Sequence, residues 1–410
     1  MTDFQKKLQK YAELAVKVGV NLKEKESILI TGNEATLPLV RLITAEAYKA
    51  GAKNIEFMLT DEDMTIARYE NGRDYVFEEY PQWKIDAIEA MYIDGYQHMA
   101  VIATNPDLLK NIDSELVGKD SKVRSTATYP LMAYRMNGFT KWTIVAMPSE
   151  AWATKVFPEA TPDEAIGLLW ENIFTATRID QEDPVAAWQK HNAFLKDKEA
   201  FLTSKQFEKL VYKGPGTDLE VYLGINHTWE GGASESTKGV DFMPNMPTEE
   251  VFTTPHYKKV NGTLKATKPL SYQGKLVEDF GFTFKDGKVV DYYAARGKEV
   301  LDNLVNTDDG SCYLGEVAIV PFDSPISNTG ILFSNTLFDE NASCHFALGM
   351  SYSKTFENGQ NLSKEELEKL GANDSKIHVD FMVGSEELEI TAYTKDGEAF
   401  KLFEKGNWAF

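Results

Sequence analysis

"SILITGNEATLPLVRLITAEAYKAGAKNIEFML" occupies residues 27–59, and its reading decides the fold of the first third of the chain. "SILIT" (27–31) is a short apolar run bounded by polar residues, as in a buried strand. "LPLVRLITAEAYKAG" (37–51) is built from helix formers and stops at Gly51, the residue type that closes helices. "NIEFML" (54–59) is a second strand run. Strand, helix and strand in this span make one βαβ unit, which implies parallel pairing and a right-handed crossover. "MAVIAT" (99–104) and "WTIVAM" (142–147) continue the alternation, with helical stretches between them. The expected N-terminal domain is a layered α/β fold with a largely parallel sheet.

Such a sheet invites a nucleotide, but its first loop argues against one. "TGNEATLP" (31–38) is neither GxGxxG nor GxxxxGK[ST], and "GPGTDL" (214–219) lacks the third glycine. The N-terminal stretch reads as an amphipathic helix, with Phe4, Leu8, Tyr11, Ala15 and Val18 alternating by four and three. It has no apolar h-region, and no 18-residue apolar run suggests a membrane span. Two cysteines in 410 residues make no disulfide framework, so a reducing cytoplasm is the expected location. A net charge of -20 and the lack of any basic run argue against nucleic acid and anionic membranes as partners.

The length exceeds one ordinary core, so two domains are expected. Thr161 with Glu164 spells a capping box with Pro162 at the first helical position, and helix continues past Pro184 towards Phe207. From about Leu210 the character changes. Asp286-Gly287, Asp396-Gly397 and Asn261-Gly262 read as hairpin turns between strand-like runs. The expected division is an N-terminal domain over 1–205 and a C-terminal α+β domain over 206–410, rich in antiparallel strands and carrying the chemistry.

Four stretches of that second half concentrate carboxylates and histidines, in a chain with only six histidines. "KIHVDFMVG" (376–384) reads as a strand with His378 and Asp380 on one face, where both can reach one metal ion. "GEVAIVPF" (315–322) opens an apolar run with Glu316, and a carboxylate in a buried strand needs a cationic partner. In "PTEEVFTTP" (247–255), Glu249 and Glu250 point opposite ways if extended, so one of the two can serve a shared site. "DENASCHFALGMSY" (339–352) holds Asp339, Glu340, His345 and Tyr352, with Glu340 and His345 close enough to share an ion. Taken singly, each fragment also has an ordinary reading as a solvated strand end, an exposed acidic pair or a loop histidine. His98 and His191 read as structural. His227 is a candidate pocket residue, and His256 has no specific role. No GxSxG, CxxC or HExxH occurs, Ser351-x-x-Lys354 is a short chance-level match, and Cys344 reads as a buried small hydrophobe.

Together, in this order and spacing, the four stretches resemble the M29 family of metallo-aminopeptidases, the thermophilic-type group. The resemblance extends over most of the chain, "MPSEAWATKVFP" (147–158) included. It implies two divalent ions (Zn, Co or Mn), one held by Glu250, Glu316, His378 and Asp380. The second is held by Glu316, Glu340 and His345, with Glu316 bridging. It implies Tyr352 as the catalytic tyrosine, hydrogen-bonding a tetrahedral oxyanion, with Glu316 or Glu249 as the proton carrier. It further implies peptide substrates with a free N-terminus and a homodimer. Carboxylate oxygens with imidazoles suit such metals without any thiolate. Two alternatives stand beside this reading: another dinuclear hydrolase, such as a phosphoesterase, and a non-catalytic two-domain binding protein. The former lacks a Lys/Arg cluster near the four stretches.

Overall fold

The computed structural model describes residues 1–103, 105–272 and 275–410. The chain forms two compact units, Met1–Lys190 with Ala233–Pro247 and His191–Gly232 with Thr248–Phe410.

In the first unit, β1 (Ser27–Asn33), β2 (Ile55–Thr60), β3 (Tyr96–Ile102) and β4 (Trp142–Ala146) form one sheet in the order β2-β1-β3-β4. Every pair is parallel, as the βαβ reading requires. The crossover helix Leu37–Lys49 buries Leu39, Val40, Ile43 and Ala47, spaced to form one apolar stripe. It ends before Gly51, whose φ of +93° suits a residue without a Cβ. Thr104, the last residue of the strand expected over 99–104, lies outside the described residues. The N-terminal helix covers Asp3–Leu14 and then loosens into a π turn over Ala15–Gly19. The capping box at Thr161 is formed, and its helix runs from Pro162 to Ala176.

The second unit is dominated by two sheets, and all its strand pairs among the described residues are antiparallel. The larger has nine strands among the described residues. Asp286-Gly287 turns the hairpin between Lys275–Lys285 and Lys288–Arg296, and Asp396-Gly397 lies between Glu389–Tyr393 and Ala399–Glu404. Asn261-Gly262 is not a turn. It lies inside the strand Pro255–Lys265, where a Cβ on Gly262 would stand 2.1 Å from the Asp218 carbonyl oxygen. That glycine marks a close approach of two backbones, a role that local sequence does not distinguish from a turn.

The smaller sheet comprises β5 (Glu230–Gly231), β6 (Val251–Thr253), β7 (Leu314–Ile319), β8 (His345–Gly349) and β9 (His378–Met382), in the order β9-β8-β7-β6-β5. Val317, Ile319, Phe346, Leu348, Val379 and Phe381 alternate onto one face and are buried in the unit's core. There Phe346 meets Tyr212, and Phe381 meets Phe282, at ring distances of 5.0 and 5.1 Å. Burying each such side chain contributes about 1.5–3 kcal/mol, which locks the register. A slip of one residue would turn the opposite face, and its charges, into this core.

Candidate metal centre

The opposite face of the five-stranded sheet is where the predicted residues meet. Glu316 pairs with Ala347, and Ala347 with Asp380, so these three side chains share a side. Ala318 pairs with His345, and His378 pairs with Gly349, on the same side. Glu250 enters one residue before β6, beside Phe252, which faces Ala318. The i, i+2 reading of His378 and Asp380 as neighbours on one face therefore holds.

Glu316 stands at the middle. Its Oε1 is 3.6 Å from His345 Nε2 and its Oε2 is 3.3 Å from His378 Nε2. His345 Nε2 is also 3.2 Å from Glu250 Oε2, and His378 Nε2 is 3.3 Å from Asp380 Oδ1. Two triads result, Glu250–Glu316–His345 and Glu316–His378–Asp380, sharing Glu316, with one ligand atom from each member within 4.8 Å of the others. The expected pairing placed Glu250 with His378 and Asp380; in the structure Glu250 stands with His345. The strand order explains this, because β7 and β8 lie between β6 and β9. Glu340 belongs to neither close triad but faces the charges of Glu250, Asp380 and Glu316. The adjacent Asp339 is turned away, accepting hydrogen bonds from Phe333 N at 2.8 Å and Asn335 N at 3.0 Å.

Both imidazoles are aimed from behind. His345 Nδ1 lies 3.1 Å from the Ser343 carbonyl oxygen and His378 Nδ1 lies 2.7 Å from that of Met350. Each carbonyl accepts the Nδ1 proton and so leaves Nε2 to face the carboxylates, as second-layer partners of metal-bound histidines do. None of the four carboxylates pairs with a lysine or arginine among the described residues. Burial drives Glu250 above the usual carboxylate range, and drives Glu340 well above it with the charges of Glu250 and Asp380 adding to the effect. Burial also opposes charge on Glu316, but hydrogen bonds from His345 and His378 outweigh it and bring the carboxyl down to about 2. Burial likewise opposes charge on the two histidines, yet their carboxylate partners raise both well above the ordinary imidazole value. In this state the Nε2 protons stand where a cation would. Four carboxylates and two neutral imidazoles match the charge of two divalent ions, so the donor set fits such ions.

Tyr352 follows in the segment after β8. Its ring lies 4.7 Å from that of His378 and 6.1 Å from that of Phe252, edge to face with the latter. Burial, then the charges of Glu316 and Asp380, raise its phenol well above the ordinary value, so it remains an O–H donor. Glu249 points away from the triads, with Oε2 3.3 Å from His191 Nε2. Cys344 also faces away: its thiol contacts the Val320 backbone, and burial pushes it up to about 12.

The remaining histidines are spent elsewhere. His98 sits between Thr31 and Tyr92, at 3.1 and 2.9 Å. His227 is buried, its Nδ1 2.9 Å from the Gly224 carbonyl oxygen, and His256 stacks on Tyr257. Sequence reading missed Gly315, Asn341 and the carbonyls of Ser343 and Met350. Only Gly315 left a local signal, a glycine directly before a buried glutamate.

A family model described as thermophilic metalloprotease (M29) matches residues 4–408. Aminopeptidase 2 of Geobacillus stearothermophilus is 47% identical over 413 residues, covering 100% of this chain and 99% of that protein. Aminopeptidase AmpS of Bacillus subtilis (strain 168) is 44% identical over 410 residues, covering 100% of both. The solved structure of wild-type AmpT from Thermus thermophilus superposes with a TM-score of 0.94 at 38% identity, covering 99% of this chain and 100% of that one.

Proposed function

The chain belongs to the M29 metalloprotease family and is a metal-dependent aminopeptidase, and we propose that it works through two divalent ions sharing Glu316. Glu250, Glu316 and His345 would hold one ion, and Glu316, His378 and Asp380 would hold the other. Glu340 supplies a further carboxylate to the same centre. The ions are Zn²⁺, Co²⁺ or Mn²⁺. The single observation that carries this reading is the shared glutamate: the two oxygens of Glu316 face two different imidazoles, 3.6 and 3.3 Å away.

When bound, the ions supply Lewis acidity and lower the pKa of a water molecule towards neutrality. The chain's residues do the rest. A free α-amine on the substrate, neutral at its nitrogen, would be anchored at this centre, which restricts cleavage to the N-terminal bond. Tyr352 donates its O–H to the oxyanion of the tetrahedral intermediate, an interaction worth about 3–4 kcal/mol in comparable sites. The proton for the leaving amine travels on a carboxylate, Glu316 of the cluster or the nearby Glu249. A phosphoesterase reading is disfavoured, because among the described residues no lysine or arginine pairs within the cluster to receive a phosphate.

In this proposal the catalytic domain is the strand-rich C-terminal half expected over 206–410, whose six candidate ligands all lie in the unit His191–Gly232 with Thr248–Phe410, and the chain acts as a homodimer. The two free, buried cysteines support work in a reducing cytoplasm. Among the described residues no helix is long and apolar enough to cross a membrane.

The test uses metal-stripped protein and aminoacyl p-nitroanilides with free or acetylated amines. Adding back Zn²⁺, Co²⁺ or Mn²⁺ should restore cleavage of the free-amine substrates alone. Equal cleavage of the acetylated series would refute the exopeptidase reading.

A further inference from the structure

Asn341 is fully buried and is not one of the six residues assigned to the ions. Its Oδ1 accepts a hydrogen bond from Glu249 N at 2.8 Å. Its Nδ2 donates to the Leu337 carbonyl oxygen at 3.1 Å and to Glu340 Oε1 at 3.4 Å. These partners fix the orientation of the amide. A backbone N–H can only donate, and a carbonyl or carboxylate oxygen can only accept, so a flipped amide would face donor to donor and acceptor to acceptor. Every hydrogen of the amide is used, and no other residue type of this size supplies one acceptor and two donors in one plane.

Two of the three bonds are local, and the third joins segments far apart in sequence. Glu249 precedes Glu250 by one residue on the strand entering β6, while Leu337 and Glu340 lie in the turn leading to β8. Asn341 thus holds the backbone next to one carboxylate and the side chain of another. Glu340 has no other side-chain hydrogen bond among the described residues. Without the amide, Glu340 would lose that bond while still facing the like charges of Glu250 and Asp380.

We infer that Asn341 is a positioning residue for the metal centre, setting Glu340 against Glu250 through a single amide. This rests on the dinuclear reading of the site. Second-layer partners of metal ligands typically change affinity by about 10–100-fold when lost.

Asn341→Asp is the sharpest variant. It keeps the acceptor for Glu249 N–H, removes both donors and sets a second negative charge beside Glu340. On metal-stripped, folded protein, Zn²⁺ titration by calorimetry should show one of the two ions weakened about tenfold or more, the other changed less than threefold. The melting temperature of the metal-free protein should stay within a few degrees of the parent, and kcat should fall with KM nearly unchanged.

Should Asn341→Asp fail to fold, Asn341→Ser serves in its place. A second readout is the double variant with Glu340→Gln, in which the Asn341 substitution should add little, because both act through one carboxylate. Unchanged metal affinities, or fully additive effects in the double variant, would overturn the inference and leave Asn341 a residue of stability only. A parent protein that takes up no divalent ion would sink the dinuclear reading and this inference with it. An unaltered variant beside a metal-binding parent would sink this inference alone.

Discussion

A Cβ built on Gly315 would stand 2.3 Å from the carbonyl oxygen of Gly349, far inside contact distance. Gly315 is the extra residue of a β-bulge, since Leu314 pairs with Leu348 while Glu316 pairs with Ala347. Bulges re-aim the next side chain, and here the next side chain is the shared glutamate. Gly349 itself has a φ of +109° and pairs with His378, so both glycines serve the same corner of the site.

Gly315→Ala should therefore push β7 off β8 and move Glu316. The expected outcome is a loss of at least about 1–3 kcal/mol of stability, with activity reduced further than unfolding explains. Denaturant titration beside activity at full folding would separate the two effects. An active, equally stable variant would show that the corner has slack.

Removing the shared charge should be more damaging than removing a terminal one. Glu316→Gln should abolish binding of both ions, while Asp380→Asn should abolish or weaken only the one held with His378. Metal content after dialysis distinguishes them, and activity should fall by about 100-fold or more in each.

Metal affinity should rise with pH. The carboxylates hold both imidazoles protonated well above their ordinary range in the metal-free site, so each ion must displace an Nε2 proton. Below those raised values the dissociation constant should weaken by up to about tenfold per pH unit for each proton displaced. Zn²⁺ titrations at pH 6, 7 and 8 would read the slope, and a flat profile would contradict the protonation of these histidines.

Tyr352→Phe should keep metal content and KM while kcat falls by about 10²–10³. A proportionate rise in KM instead would assign the hydroxyl to ground-state binding.

The first unit carries its own acid sensitivity. Burial holds the His98 imidazole down at about 3, below the ordinary value of 6.5. Between those values the unfolded chain binds a proton that the folded chain does not. The stabilising contribution is thus complete above about pH 6.5 and declines by up to roughly 1.4 kcal/mol per unit as pH falls towards 3. His98→Gln should flatten the melting temperature between pH 7 and 5, and an unchanged slope would place the acid sensitivity elsewhere.

These residues also mark how far the sequence could be read. The βαβ unit was legible because apolar runs and Gly51 are local signals. His378 and Asp380 were legible because strand alternation is local too. The assignment of Glu250 beside His345 was not, since it depends on the order of strands in the sheet. Nor were Asn341 and the Met350 carbonyl, whose partners lie in segments that only folding brings near. Asn261-Gly262 misled for the same reason: the glycine answers to Asp218, 44 positions away in the chain but adjacent in the sheet.

The most direct test of the account counts ions against rate. Metal-stripped protein titrated with Co²⁺ should reach full aminopeptidase activity at two equivalents per chain, with both equivalents lost in Glu316→Gln. Full activity at one equivalent, or two ions retained without Glu316, would contradict a centre built around that shared carboxylate.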